Sequence, residues 1–172
     1  MVDMGFSSTI CAAIILASLL LIMGSAETTL FLTLREGFSM WIDAYRGERA
    51  RLDVRLQLNI TWIGDRAVNI TVRNTGSRAV FLASGWNDVV VAYNASGHWR
   101  PFLSSFEVER IRVIGSGGYF TPQSHPFINP GEEALISVQL PEGAPNIPRG
   151  SPVIVVFASH YGVSAVGEAV RP

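Results

Sequence analysis

The histidines and the one cysteine, which could bind a metal or act as nucleophiles, occur singly and far apart in this 172-residue chain. The histidines at positions 98, 125 and 160 lack ligand spacing, and the one cysteine, Cys11, lies in an apolar run. All 13 basic residues are arginines, which excludes Schiff-base lysines and the lysine of a P-loop. We therefore expect no metal site, no bound cofactor and no catalytic nucleophile.

Two further patterns resemble catalytic features but have simpler explanations. Glu107 and Glu109 share one strand phase, yet Arg110 and Arg112 follow them, which is typical of a solvated face of mixed charge. The glycine-rich segment 115–118 has no helix after it and is therefore a poor phosphate cradle. No serine lies in a G-x-S-x-G frame. The sequence indicates a protein that is not an enzyme.

Covalent modification is better supported by the sequence than catalysis, because three N-x-[ST] sequons begin at Asn59, Asn69 and Asn94. Asn59 and Asn69 occupy the polar phase of two predicted strands, and Asn94 is predicted to lie in a turn. N-glycosylation outside the cell would account for all three. The alternative is that Asn and Thr are simply acceptable on exposed strand faces.

An uncharged run extends from Met4 to Ala26, and as a helix it would span about 34 Å. That length crosses a hydrocarbon core of about 30 Å. A cleaved secretory signal would need a basic start, which is absent here, so we expect residues 1–26 to be a retained membrane anchor. The alanines and serines of this run would allow close packing with another transmembrane helix.

Residues 27–51 continue as a predicted amphipathic helical stalk. Apolar residues recur there at spacings of 3, 4, 3 and 4, which is the period of a coiled-coil seam, and they are Phe31, Leu34, Phe38, Trp41 and Tyr45. This stripe packs either on a partner helix or on the protein's own β-domain. The pattern leaves both alternatives open.

Residues 52–172 change to a period of two. Leu52–Trp62 and Val68–Arg73 alternate apolar and polar residues around Gly64-Asp65 and predict an antiparallel hairpin, and Asn74–Ser77 is the next predicted turn, with Gly76 available for a positive φ. Five more strands are predicted at 79–83, 88–93, 106–114, 134–140 and 153–159. Seven short strands with regular turns indicate a mainly β fold, an immunoglobulin-like antiparallel β-sandwich preceded by one long N-terminal helix.

Net charge narrows the choice of partners. The chain carries 13 basic and 14 acidic residues, and the predicted β-domain carries nine of each, so we expect no nucleic-acid partner. Protein contacts of the β-domain would instead use strand edges or exposed aromatic residues near loops. The candidates are Trp86, Trp99, Tyr119, Phe120 and Phe127.

Several short motifs together resemble the archaellum accessory protein F family, FlaF or ArlF. They are Met4-Gly5-Phe6-Ser7 before the apolar helix, Ile42–Tyr45, the run Val72–Ser77, Asn129–Glu132 before a strand, and Tyr161–Ser164 in what is predicted as the terminal strand. The last two are also similar to archaellum protein G. The chain departs from the family pattern in three residues before Met4 and in a longer insertion around 115–126.

The resemblance implies a non-enzymatic part of the archaellum motor at its basal region. A single-pass anchor would hold the β-domain between membrane and S-layer, where binding of the S-layer protein would make it part of the stator. It also implies contact with an archaellum protein G-like subunit or other archaellum subunits, and edge strands allow a homodimer. The alternative is a filament subunit, an archaellin or type IV pilin-like protein, because Gly5-Phe6 resembles a class III cleavage site.

Overall fold

The computed structural model describes residues 4–95 and 97–172, with side chains from Thr9 onward. It contains one long helix, α1 (Met4–Leu52), followed by an antiparallel β-domain. The chain forms two compact units, residues 1–46 and residues 47–172. The predicted fold class, a β-sandwich preceded by one long helix, is confirmed.

The last turn of α1 and the chain after it belong to the β unit. The amide of Asp53 donates to the Arg49 carbonyl and that of Val54 to the Arg51 carbonyl, which closes the helix. Ala50 and Val54 are buried. The predicted strand from Leu52 therefore begins only at Leu56, because residues 49–54 complete the helix end.

Ten strands follow among the described residues, and two of them form the predicted hairpin around Gly64-Asp65. The bounds are β1 (Leu56–Ile63), β2 (Ala67–Asn74), β3 (Val80–Phe81), β4 (Asp88–Ala95), β5 (His98–Val113), β6 (Tyr119–Phe120), β7 (Phe127–Ile128), β8 (Glu132–Gln139), β9 (Pro152–Ala158) and β10 (Ser164–Val170). The main hydrogen-bonded order is β1-β2-β8-β5-β4-β9-β10, with β6 on β5, and β3 pairs with β7 separately.

The long strand β5 joins the two layers of the sandwich. Residues 98–104 pair with β4, and residues 105–113 pair with β8. Pro101 lies in the first half, which has only one neighbouring strand, and such edge positions are where a sheet tolerates proline. Residues 98–105 of this strand were not predicted, since a proline normally argues against a strand.

The core lies between the two layers and consists of aliphatic side chains from alternate strand positions. Val68, Ile70 and Val72 of β2 face Val89 and Val91 of β4 in the same fully buried cluster. Phe157 and Tyr93 are its largest members. Burial raises the pKa of the Tyr93 phenol, although the nearby Arg66 guanidinium lowers it, and the Tyr93 hydroxyl donates to the Pro145 carbonyl. This bond ties the long loop 141–148 to the core.

The last strand, β10, was not predicted, because Ser164–Val170 contains Gly167 and small alanines. The structure explains the glycine. A Cβ at Gly167 would lie 2.3 Å from Cδ2 of Leu58 and 3.2 Å from the Leu58 carbonyl oxygen on β1. The small residue therefore lets the two end strands approach each other closely.

Candidate interaction surfaces

The first surface is the apolar part of α1. Within the described residues it contains one stretch long and apolar enough to cross a membrane, and none of that stretch is buried within the chain. Leu20, Leu21 and Ile22 are exposed there. Ser18 and Ser25 donate their hydroxyls back to helix carbonyls, which satisfies them in an apolar medium.

The predicted helix stripe forms the second surface. Its five members are all exposed, namely Phe31, Leu34, Phe38, Trp41 and Tyr45. The rings of Trp41 and Tyr45 stack with centroids 6.0 Å apart. Gly37 opens a shallow apolar groove between Leu34, Phe38 and Trp41, because nothing lies within 4 Å of the position its Cβ would take.

A third surface consists of aromatic rings carried by β3, β7 and the loops beside them. Phe81 and Phe127 are cross-strand partners, with ring centroids 6.5 Å apart. His125 lies 4.7 Å from Phe127 and 4.7 Å from Phe120. On the other side, Phe81 makes an edge contact with Trp86 at 5.7 Å. These rings form one connected row on the β-domain.

The row continues beyond Trp86 onto the turn after β9. His160 lies 5.8 Å from Trp86, and the ring of Tyr161 lies 4.0 Å from that of His160. Arg78 lies 5.0 Å from the Tyr161 ring centroid, and its Nε donates to the Tyr161 hydroxyl at 3.0 Å. We call Phe81, Trp86, Phe120, His125, Phe127, His160 and Tyr161, with Arg78, the aromatic surface.

Three of the five aromatic candidates from the sequence belong to this surface, namely Trp86, Phe120 and Phe127. Tyr119 precedes Phe120 on β6 and so points to the other side of that strand. Trp99 pairs with Asn94 at the start of β5, whereas β6 pairs near its end, so Trp99 lies apart from the others. The structure therefore places three of the five candidates on one surface and the other two elsewhere.

The other members of the aromatic surface were not among the residues predicted from the sequence. Phe81 and Phe127 become neighbours only because β3 pairs with β7 across a long sequence separation. His125 and His160 were expected in separate loops or strand ends and Tyr161 in a terminal strand, and nothing in their spacing shows that these segments meet. The motif containing Tyr161 was the single available signal.

A buried polar cluster holds the loop that carries Phe120 and Phe127. The carboxylate of Glu132 accepts hydrogen bonds from the Asn129 amide at 2.8 Å and lies 2.9 Å from Nε2 of His125. Burial raises the pKa of the Glu132 carboxyl, but the hydrogen bonds from His125 and Asn129 outweigh it, so the pKa lies below its usual value. Glu132 is therefore a charged anchor for the loop.

His160 is shielded from protonation by its surroundings. Burial and the positive charge of Arg78 lower its pKa, while a hydrogen bond to the Phe81 backbone raises it and is outweighed. Its Nδ1 atom is buried. A neutral imidazole is therefore favoured between Trp86 and Tyr161.

A second buried anchor is Asn74, the last residue of β2. Its Nδ2 donates to the carbonyls of Arg78 at 2.7 Å and Ile128 at 2.9 Å, and its Oδ1 accepts from the Gly76 amide at 3.0 Å. The Asn74 carbonyl accepts from the Gly131 amide at 3.0 Å. The turn after β2 and the turn before β8 are thereby locked together beside β7.

Two sequence interpretations at these turns are wrong. Gly76 does not have a positive φ; it is needed because a Cβ there would lie 2.4 Å from the Asp53 carbonyl oxygen. Most of Tyr161–Ser164 is not in a terminal strand, because Gly162 has a φ of 72° and turns the chain into β10, which begins only at Ser164. Both motifs thus belong to turns at one end of the sandwich, near the aromatic surface.

The sequon asparagines occupy three different environments. Asn59 is exposed on β1 opposite Thr71, and Asn69 is half-buried on β2 opposite Trp62. Asn94 is not in a turn as predicted, because β4 extends to Ala95 and pairs Asn94 with Trp99. Only Asn59 combines an exposed side chain with an end strand of the sheet.

The described residues form no group of side chains that could hold a metal ion. No group of three or more His, Cys, Asp or Glu side chains lies together there. The charged clusters that do exist are ion pairs such as Arg112 with Glu133 and Arg171 with Asp65. The arrangement is suited to binding, through apolar and aromatic surfaces.

Comparison with known proteins identifies solved structures of similar fold and no sequence relative. No protein-family model and no curated protein matches the chain. Among solved structures, the archaeal flagellum of Methanospirillum hungatei strain JF1 is similar at 13% identity and a TM-score of 0.54, over 94% of this chain and 92% of that one.

Two archaellum periplasmic stator structures from Sulfolobus acidocaldarius are similar at TM-scores below 0.5. FlaG matches at 14% identity and 0.40, over 67% of this chain and 100% of that one. The FlaF and FlaG complex matches at 16% identity and a TM-score of 0.39, over 66% of this chain and 88% of that one. From the flagellum comparison, this chain has the fold of an archaeal flagellum protein, with a long N-terminal helix followed by a β-sandwich.

Proposed function

We propose that this chain is a membrane-anchored, non-enzymatic component of the archaellum whose β-domain lies outside the membrane and binds the S-layer protein as part of the stator. The aromatic surface is the observation that carries the proposal. It presents a connected row of rings with Trp86 61% exposed, on a sandwich whose core is fully packed. A static link requires an anchor and a firm contact surface and needs no catalytic group.

The composition of the aromatic surface suits a protein partner. Trp, Tyr and Arg are the residue types that carry most binding energy at protein interfaces, and Trp86, Tyr161 and Arg78 lie together here. The buried anchors Glu132 and Asn74 fix the loops from beneath, which lowers the entropy cost of binding. The exposed sequon Asn59 supports an extracytoplasmic location.

Binding of purified S-layer protein to the full chain in detergent micelles tests this assignment. Trp86→Ala together with Phe127→Ala should weaken binding at least thirtyfold, since two anchors of about 1 kcal/mol or more each are removed. Trp99→Ala is the matched control, because Trp99 is similarly exposed but lies elsewhere. Equal losses from both variants, or no loss from the double variant, would refute the surface.

The helix stripe is assigned to a partner helix of another archaellum subunit, such as a protein G-like one. Its exposed aromatic and leucine side chains follow a coiled-coil period. Trp41→Glu should abolish crosslinking between stalk helices in membranes, whereas Glu36→Gln, on an exposed polar position, should leave it intact. Unchanged crosslinking of the Trp41 variant would remove this assignment.

A filament subunit is the second candidate, and one observation favours it. The similarity to the Methanospirillum hungatei flagellum covers nearly the whole of both chains, helix included. N-terminal sequencing of native protein separates the two functions: a mature chain that begins at Phe6 supports the filament and contradicts the anchored stator. Crosslinking in intact cells adds a second criterion, since a filament subunit would crosslink chiefly to copies of itself.

A further inference from the structure

The outer face of the second layer of the sandwich is apolar, and the proposed function does not use it. This second-layer face consists of the outward-pointing residues of β4, β9, β10 and residues 98–104 of β5. Alternate residues of β4 and β9 are buried, so the intervening ones point outward. The strand registers place four of them in one apolar row across the four strands, namely Val166, Val156, Val90 and Leu103.

Charge is scarce on the second-layer face. Among its outward positions, all of them described residues, only Asp88 and Glu168 are charged. The outer face of the first layer instead carries Arg73 and Arg112 with the Glu133 carboxylate between them. Strand β9 is apolar at both phases, as is typical of strands that are covered on both faces. Proteins in water rarely expose a continuous apolar face, so we expect this one to be covered.

A sequon asparagine lies on the second-layer face. Asn94 is an outward residue of β4, and its sequon continues with Ala95-Ser96. The register places Asn94 directly opposite Trp99 of β5, and Trp99 is 50% exposed. The Cβ atoms of directly opposite residues lie about 4.5–5.5 Å apart, so a sugar bonded to Asn94 would lie beside the indole. The attachment point of a glycan and a platform for its first sugar are therefore neighbours.

The same juxtaposition occurs a second time, on the first layer. A β-bulge between Ile60 and Trp62 turns Trp62 outward, against the alternation that predicted it on the core side. Trp62 is 52% exposed and lies opposite Asn69, so both tryptophans within strands face a sequon asparagine. Asn59, the third sequon asparagine, lies opposite Thr71 and provides a comparison without an aromatic ring.

We propose that Asn94 carries an N-linked glycan whose first sugar stacks on Trp99 and whose further sugars cover the second-layer face. The inference rests on the extracytoplasmic location in the proposed function. Nδ2 of Asn94 would bond to the anomeric carbon of a lipid-linked oligosaccharide; the bond from that carbon to the lipid phosphate breaks, the phosphate leaves with the electron pair, and one amide proton is released. The C–H side of a sugar ring is apolar and matches the face of an indole.

The residues next to Asn94 and Trp99 leave room for such a glycan. Ala92 and Pro101 are the next outward pair, and both side chains are short. From Ala92 the row continues through Ile154 to Glu168 on β10, two strands and about 10 Å away from β4. Sugar C–H groups would contact the apolar members of this row, and sugar hydroxyls could donate to the Glu168 carboxylate. The hydroxyls on the other side of the glycan would then face water.

Hydroxyl-radical footprinting of the full chain, purified from its native cells in detergent, tests the proposal. Glycopeptide mass spectrometry should find Asn94 occupied, and Trp99 should be oxidised about threefold or more faster in Asn94→Gln, because its ring is then uncovered. Trp86, 61% exposed and outside this face, is the internal control and should react equally in both proteins. Asn59→Gln removes the sequon that has no tryptophan opposite and should leave Trp99 as protected as in the unchanged chain.

Thermal unfolding provides a second readout that shielding alone would not move. Asn94→Gln should lower Tm by about 3 °C or more, because the contact between sugar and indole is lost. In a Trp99→Ala background the same substitution should change Tm by less than half as much, since the two groups act as a pair. Asn59→Gln should have the same effect with and without Trp99.

Four results would overturn the proposal. They are an unoccupied Asn94 in native protein, equal oxidation of Trp99 in the unchanged chain and in Asn94→Gln, equal Tm changes in both backgrounds, and protection of Trp99 that persists in Asn94→Gln together with a dimeric mass, which would mean that a second copy covers the face. Binding of the S-layer protein is measured separately through Trp86 and Phe127. An unoccupied Asn94 beside intact S-layer binding would therefore refute this inference and leave the proposed function standing.

Discussion

Replacement of the buried Asn74 by alanine is expected to be among the most damaging single changes in the β-domain. The side chain is fully buried and makes three hydrogen bonds, two donated to carbonyls and one accepted from an amide. Each bond contributes about 1 kcal/mol net, and a buried group left without a partner costs about 1–3 kcal/mol. The free energy of unfolding should fall by about 3–5 kcal/mol, which corresponds to a Tm about 10–20 °C lower.

Asn59→Ala provides the matched control, because the same atoms are removed from an exposed position and the cost should stay within about 0.5 kcal/mol. Asn74→Asp keeps the acceptor for Gly76 but turns a carboxylate oxygen toward two carbonyls, so at neutral pH it should be at least as destabilising as alanine. Denaturant unfolding followed by tryptophan fluorescence and near-UV circular dichroism measures all three. If Asn74→Ala cost less than about 1 kcal/mol, or no more than Asn59→Ala, the argument that this turn locks the sandwich end would be wrong.

Three further outcomes follow from the same geometry. Because burial and Arg78 lower the pKa of His160 below 6.5, its contribution to stability is complete above that pH and is lost as the pH falls below it; unfolding between pH 7.5 and 5 should therefore depend less on pH in His160→Gln. The pKa of Glu132 is lowered below 4.5, so its contribution is present above about that pH and lost in acid, and Glu132→Gln should destabilise by about 1–3 kcal/mol at pH 7, measured by urea unfolding. Mass spectrometry of glycopeptides from native protein should find Asn59 more fully modified than Asn69, since the latter is half-buried on an interior strand, and equal occupancy would contradict that order.

The short motifs behind the resemblance have a structural explanation. Asn74 and Gly76 come from one, Gly131 and Glu132 from another, and Tyr161 from a third. The Gly131 amide bonds to the Asn74 carbonyl, and Asn74 bonds to the Ile128 carbonyl beside Phe127. The motif residues therefore support the aromatic surface from beneath, and they are separated along the chain because the turns that carry them meet only in the sandwich.

Local periodicity predicted the parts of the fold in which burial depends on neighbouring residues alone. The alternation around Ile70 and around Ile136 identifies strands β2 and β8, because every second side chain there enters the core. Periodicity failed where a β-bulge shifts the alternation of buried and exposed residues, and where the presence or absence of a neighbouring strand decides which residue type fits. Trp62 lies after a bulge, Pro101 lies on a strand half with one neighbour, and Gly167 is small because β1 approaches β10.

By itself the sequence determined the long apolar helix, the apolar stripe along its second half and the β-rich domain. These depend on composition and on periods of 3.6 and 2, which are local properties of the chain. Only the tertiary structure decided which residues share a surface. The aromatic surface joins Phe81 to Phe127 through the pairing of β3 with β7, and it places Tyr161 beside Arg78 where separate turns meet, although the sequence separation of these residues carries no signal.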